Sequence, residues 1–234
     1  PFLSSFAPAR ASRRAVLAAR GPPFWTDGAS GLLSALPPIW INVPSVQAWV
    51  RSGERQHASE DRRSAAYERL YRAAAKFEVD GTPVDLGGLD LKLDGPKLVA
   101  EIVIARAGEA SAREAARREL LKRLEGSPPA WLEAWVRSAI GRSMLKERDP
   151  EVRRRGVLQL LHVPARFSSD SAYLAGIALA ESARALLELG DRDGADVIRA
   201  ELMRDNPAHP ALDWAGVRDW PSRNGAAGGA GGTP

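Results

Sequence analysis

The sequence predicts an all-α protein: a solenoid-like stack of antiparallel helical hairpins behind an irregular N-terminal arm. Three observations carry that expectation. From residue 45 onward, apolar residues recur at the i, i+3, i+4, i+7 spacing of one helix face. Start and stop signals (Ser-Pro, Asp-Pro, Gly-Asp and closing prolines) cut the chain into helices of about twelve to twenty residues with short connections. A single hairpin of such helices cannot bury its apolar face alone, so neighbours must supply the other side. An irregular helical bundle is the alternative arrangement.

Composition sets the outer limits. A chain of 234 residues, 44% apolar and 26% charged, fits one globular domain with appendages. Without cysteine there are no disulfides, thiolate metal sites or cysteine nucleophiles. The net charge is only +4, and the pI of 9.8 reflects arginine outnumbering lysine. Charge is nevertheless polarised. Ile102 to Arg155 holds thirteen Lys and Arg against eight Asp and Glu, whereas Glu181 to Trp220 holds five Arg against nine acids. Such a surface suits a partner with its own charge pattern. The longest uncharged stretch, Gly28 to Val50, is interrupted by Pro37, Pro38 and Pro44. It reads as a docking loop and not a membrane span.

Residues 1–44 form a Pro-, Gly- and Arg-rich arm with Phe24, Trp25 and Trp40, aromatics costly to leave in water. Its Arg10, Arg13, Arg14 and Arg20, with no acid before Asp27, resemble an organellar transit peptide. A basic arm on a cytoplasmic protein is the preferred reading, because these features recur at many N-termini. The helical domain is expected over 45–210. It begins with Val46, Trp49 and Val50, followed by Tyr67, Leu70, Tyr71, Ala74 and Phe77 on one helix face. Within 77–94, Leu89, Leu91 and Leu93 alternate with charged residues, which predicts a short strand or hairpin, with an extended loop as the equal alternative. The aspartates at 80, 85, 90 and 94 lack the spacing of an EF-hand and read as turn residues.

Helix then follows helix. Leu98, Val99, Ile102, Val103 and Ala105 predict a buried helix ending at Gly108. The next, about Ser111 to Glu125, turns Ala112, Ala116, Leu120, Leu121 and Leu124 inward and aligns Glu109–Arg113, Glu114–Arg118 and Glu119–Arg123 as i,i+4 pairs. Ser127-Pro128 is expected to cap the helix carrying Trp131, Leu132, Trp135, Val136, Ala139 and Ile140. Asp149-Pro150-Glu151 starts another, with Val152, Val157, Leu158 and Leu161, expected to stop at Val163-Pro164. An alanine-rich helix follows from Ser169 to Leu189. Residues 211–234 supply a short capping segment (Leu212, Trp214, Val217, Trp220) and a flexible Gly/Ala tail.

The stretch from 176 to 210 breaks at Gly190-Asp191, restarts at once and closes at Pro207. Here the chain resembles the tetratricopeptide repeat family. Gly190, Asp191, Ala195 and Pro207 match the family's turn glycine, following acid, small contact residue and closing proline, with Ala183 and Leu186 at its small and large packing positions. The match covers about one repeat, and it departs at Leu179, Ser182 and Arg199. The resemblance implies hairpins whose first helices line a concave peptide groove.

Chemistry is sparse. His57, His162 and His209 are far apart, and Glu54-x-x-His57 has no second copy with which to build a carboxylate-bridged metal site. His162, at an expected helix end, is expected to meet terminal carbonyls. No phosphate-loop, dinucleotide, nucleophile-elbow or zinc-protease motif occurs. The expectation is therefore no enzyme, no cofactor and no metal. Arg153, Arg154 and Arg155 fan around a helix axis and cannot all line one surface, although with Arg137, Arg142, Lys146 and Arg148 they can form a positive patch. A DNA-reading helix at 192–205 is disfavoured by Asp193, Asp196, Glu201 and Asp205.

The expected function is a non-catalytic protein-interaction module or subunit of a multiprotein complex, with Trp25, Trp40, Arg137, Arg142, Arg153, Arg154 and Arg155 as candidate contacts. A basic-surface adaptor for nucleic acid or anionic membrane is the alternative.

Overall fold

The computed structural model describes residues 94–169 and 171–221, together with 69–70, 73, 76–77, 81, 83–84 and 86–87. The arm with Trp25 and Trp40, the Glu54–His57 pair and the Gly/Ala tail lie outside the described residues. Among the latter the chain is helical: α1 (Asp94–Ala107), α2 (Ala110–Lys122), α3 (Ala130–Leu145), α4 (Pro150–Phe167), α5 (Ala172–Glu188) and α6 (Arg192–Asp205) precede a 3-10 turn (Pro210–Asp213) and the one-turn α7 (Ala215–Arg218).

No strand occurs among the described residues, so the strand or hairpin expected near 77–94 is not found there. Phe77 is helical, and Gly81, with φ +73°, donates to its carbonyl. The Val84 amide, which a ladder would need, instead donates to the Ala107 carbonyl at 2.8 Å and pins the segment to the end of α1. Leu89, Leu91 and Leu93 lie outside the described residues.

Helix α1 buries Leu98, Val99, Val103 and Ala105 as expected, and α2 packs on it through Ala116 and Leu120. Ala112 and Leu121, also expected inside, face water; Leu121 is 44% exposed. Successive residues point about 100° apart, so a narrow contact that takes Leu120 cannot also take Leu121. After α2, Gly126 and Ser127 both have positive φ (80° and 58°). An N-cap residue needs extended backbone, so the cap falls on Pro129 and not on Ser127, and α3 begins at Ala130.

Helix α3 is the centre of the molecule, packed against α1, α2, α4 and α5. It buries Ala134, Trp135, Val136, Ser138, Ala139, Ile140, Gly141, Arg142 and Ser143, more than one face can hold. Its closest neighbour is α4, and the two backbones touch through glycines. A Cβ on Gly141 would stand 2.8 Å from the Gly156 carbonyl oxygen, and one on Gly156 would stand 2.9 Å from that of Gly141.

Helix α4 starts as its sequence predicts: the Asp149 carboxylate accepts the Glu151 amide at 2.8 Å, with Pro150 in the first turn. It does not stop at Pro164 but runs on to Phe167. An interior proline costs about 3 kcal/mol, largely through the bond its missing N–H would make four residues back. Burial of Val163 and Phe167, 0% and 4% exposed, contributes about 1.5–3 kcal/mol each and outweighs it. Leu158, expected to pack, is 62% exposed on the opposite face from Leu160.

Helices α5 and α6 form the hairpin that the sequence marks. Gly190, with φ +83°, donates to the Leu187 carbonyl while Asp191 donates to that of Leu186, the two bonds of a Schellman stop. The Asp191 carboxylate then accepts from the Gly194 amide at 2.9 Å and starts α6. Ala183 and Ala195, both fully buried, let the helices approach. The C-terminal segment folds back on this hairpin, Ala211 and Val217 joining Leu179, Ala180 and Leu202 in one cluster. Arg199, which departs from the repeat pattern, donates to the Val217 carbonyl at 3.1 Å and lies over the Trp220 ring. His209 is buried against Gly176 and accepts the Ala211 amide on Nδ1 at 3.1 Å.

Candidate functional site

An open cleft of about 360 Å³, within the usual range for ligand sites, is lined by Arg106, Arg142, Leu145, Lys146, Arg153, Glu181, Arg184, Ala185 and Glu188. It gathers the C-terminal ends of α1 and α3, the first turns of α4 and the second half of α5. Cations belong at such ends, because the helix dipole is negative there. Five cations face two carboxylates, so the cleft carries an excess of positive charge.

Glu181 is the hub. Its Oε2 accepts from Arg142 Nε at 2.7 Å and its Oε1 lies 3.4 Å from Arg106 Nη1. Burial works to raise the Glu181 pKa, but Arg142, Arg106 and Arg184 together hold it below the usual carboxylate range. Arg142 is 5% exposed, which makes this pair part of the floor. At the rim, Arg153 pairs with Glu188, whose side chain is 56% exposed. Lys146 lies over the Phe77 ring, 4.4 Å from its centroid. Exposed Arg184 has no hydrogen bond or ion pair among the described residues, and lies beside Gly216 of α7.

A second polar cluster joins α3 to α4. Glu133 accepts from Arg137 at 2.7 Å and from Arg166 at 2.6 Å, and Arg137 also reaches Gln159 at 3.1 Å. His162 lies beside these arginines. Partial burial, then Arg137 and Arg166, lower its pKa and favour the neutral ring. It does not sit at the helix end expected for it, because α4 continues past Pro164.

Of the sequence-predicted contacts, Arg142 and Arg153 meet in the cleft, joined by Lys146. Arg137 lies with the Glu133 cluster, Arg154 pairs with Glu151 one turn back, and Arg155 is exposed. Trp25 and Trp40 lie outside the described residues. Trp135 is core, as expected, at 2% exposure. Arg106, Glu181, Arg184 and Glu188 were not singled out by sequence. For the α5 residues the signal lies in the helix register, where Glu181, Arg184 and Glu188 follow at i, i+3 and i+7 as a polar stripe on an alanine-rich helix.

Two of the i,i+4 pairs expected on α2 are replaced. Glu114–Arg118 forms at 2.6 Å. Glu119 bonds Lys122 instead, Arg123 crosses to the buried Glu101 of α1 at 2.6 Å, and Arg113 reaches the Gly108 carbonyl. An arginine at the end of a helix gains more from a desolvated carboxylate on its neighbour than from an exposed one on its own surface.

Among the described residues, no group of three or more His, Asp or Glu is arranged to hold a metal ion, and no helix is long and apolar enough to cross a membrane. No protein-family model, curated protein or solved structure matches the chain.

Proposed function

We propose that the chain is a non-catalytic interaction module, a solenoid-like stack of three hairpins (α1–α2, α3–α4, α5–α6) that holds a partner protein along the row of their first helices. The observation that carries this reading is the packing order. Each helix packs on the next, α1 also packs on α3, and α3 on α5, while the substantial contacts include none between α2 and α4 or between α4 and α6. That is the order expected when the first helix of each hairpin packs on both helices of the hairpin before it. The 3-10 turn and α7 then pack on α5, where a fourth hairpin would add its first helix, and so end the stack. The cleft opens on this same row.

The alternative, a basic surface for nucleic acid or anionic membrane, draws less support: Arg137, Arg142, Arg153 and Arg154 each hold an intramolecular carboxylate. A photo-crosslinking residue placed at Leu145 in the cleft, or at Leu158 on the outer face of α4, tests the reading in native lysate with and without nuclease. A protein captured from Leu145 and not from Leu158 is the expected result. Capture abolished by nuclease would replace the module with the basic-surface adaptor.

A further inference from the structure

The cleft combines features that suit an acidic side chain. Four of its five cations are arginines, whose planar forks take oxygen pairs in a bidentate way. Glu181 and Glu188 stand inside, each already held by an arginine, so these forks are seen binding carboxylates. Leu145 and Ala185 add an apolar patch suited to the methylenes of a glutamate side chain. The Arg153–Glu188 pair is lopsided: Arg153 is 20% exposed and Glu188 is 56% exposed, so the glutamate is the partner an incoming carboxylate can displace. Arg184 stands at the rim as a further cation.

We propose that this cleft recognises an acidic peptide segment of the partner protein, its carboxylates seated between Arg153, Arg184 and Lys146, with Glu188 giving way. The inference rests on the module reading and adds the partner's chemistry to it. Arg142 and Arg106 serve as the floor that keeps Glu181 ionised and in place.

Fluorescence anisotropy with a labelled oligoglutamate peptide and the full chain tests the proposal, using Arg184→Glu, Glu188→Gln and the unaltered protein. The peptide binds the unaltered chain, Arg184→Glu weakens it about tenfold or more, and Glu188→Gln tightens it by removing the competing carboxylate. Thermal melts of the three proteins, compared in parallel, separate lost binding from lost folding. Absence of oligoglutamate binding, or equal binding to Arg184→Glu, overturns the proposal. So does tighter binding of pyrophosphate or an oligonucleotide at the same site, which would make it a phosphate site. A natural partner that still crosslinks at Leu145 in Arg184→Glu overturns the acidic-peptide inference alone. Absence of any protein crosslink at Leu145 in the unaltered chain overturns the module reading beneath it.

Discussion

Replacing Gly156 with alanine tests the close packing of α3 against α4. The added Cβ would lie 2.9 Å from the Gly141 carbonyl oxygen, 2.9 Å from Met144 Cβ and 3.2 Å from Leu145 Cδ2. The first two atoms are backbone or fixed by it, so rotamer changes cannot relieve the contact and α4 must move away from α3. Overpacking of this kind costs about 1–3 kcal/mol. Alanine returns about 0.5–1 kcal/mol as the better helix former. The net expectation is a loss between about 0 and 2.5 kcal/mol, or up to about 10 °C in Tm for a domain of this size. Gly141→Ala should behave alike, its Cβ meeting Leu160 Cγ at 2.7 Å and the Gly156 carbonyl at 2.8 Å. Because one separation admits both methyls, the double variant should lose less than the sum of the singles. Urea unfolding with unchanged m-values measures all three. Singles more stable than the unaltered protein by the helix-propensity gain would refute close α3–α4 contact.

Four other expectations follow from the same geometry. Glu181→Gln strips the buried Arg142 of its carboxylate and should cost about 3–5 kcal/mol by urea unfolding, against a null result if solvent already screens the pair. Glu181 and Glu133 both titrate below the ordinary carboxylate value of 4.5, so the stability they add is present above that value and lost as pH falls through their lowered pKa. The Tm should hold steady down to that range and then drop, and Glu181→Gln should flatten the drop; an unchanged slope would contradict the assignment. Gly176→Ala drives a methyl to 2.4 Å from the His209 ring and should speed amide exchange at Ala211, whose N–H donates to that ring, while protection of the α1–α2 amides stays unchanged. Leu158→Ser should shift stability by less than about 0.5 kcal/mol, and Leu160→Ala should cost about 2–5 kcal/mol; comparable losses would mean that the face of α4 is misassigned.

Helix existence was legible wherever local chemistry decides it. Asp149-Pro150-Glu151 and Gly190-Asp191 carry their own hydrogen bonds, and both work as read. Errors arose where distant packing overrides a local signal. Pro164 is a stop by local rules, yet burial of Phe167 carries α4 through it. Ser127 has a capping side chain but a left-handed backbone that moves the cap to Pro129. The cleft was half legible. Arg142, Lys146 and Arg153 stood out as part of a basic run, but Glu181 and Arg184 enter only when α5 packs against α3. Sequence spacing reveals i,i+4 partners and not the carboxylate on a neighbouring helix, which is why Arg123–Glu101 and Arg142–Glu181 were invisible. Arg199 shows the converse: out of place within a repeat unit, it has a use once the C-terminal segment folds back over α6.

The central claim is that a partner lies along α1, α3 and α5. Hydrogen exchange of the chain, free and with its captured partner, measures this directly. New protection in the C-terminal halves of α1, α3 and α5, with α2, α4 and α6 unchanged beyond their first turns, is the predicted result. Protection confined to the outer faces of α4 and α6 would contradict it and place the partner on the opposite side of the stack.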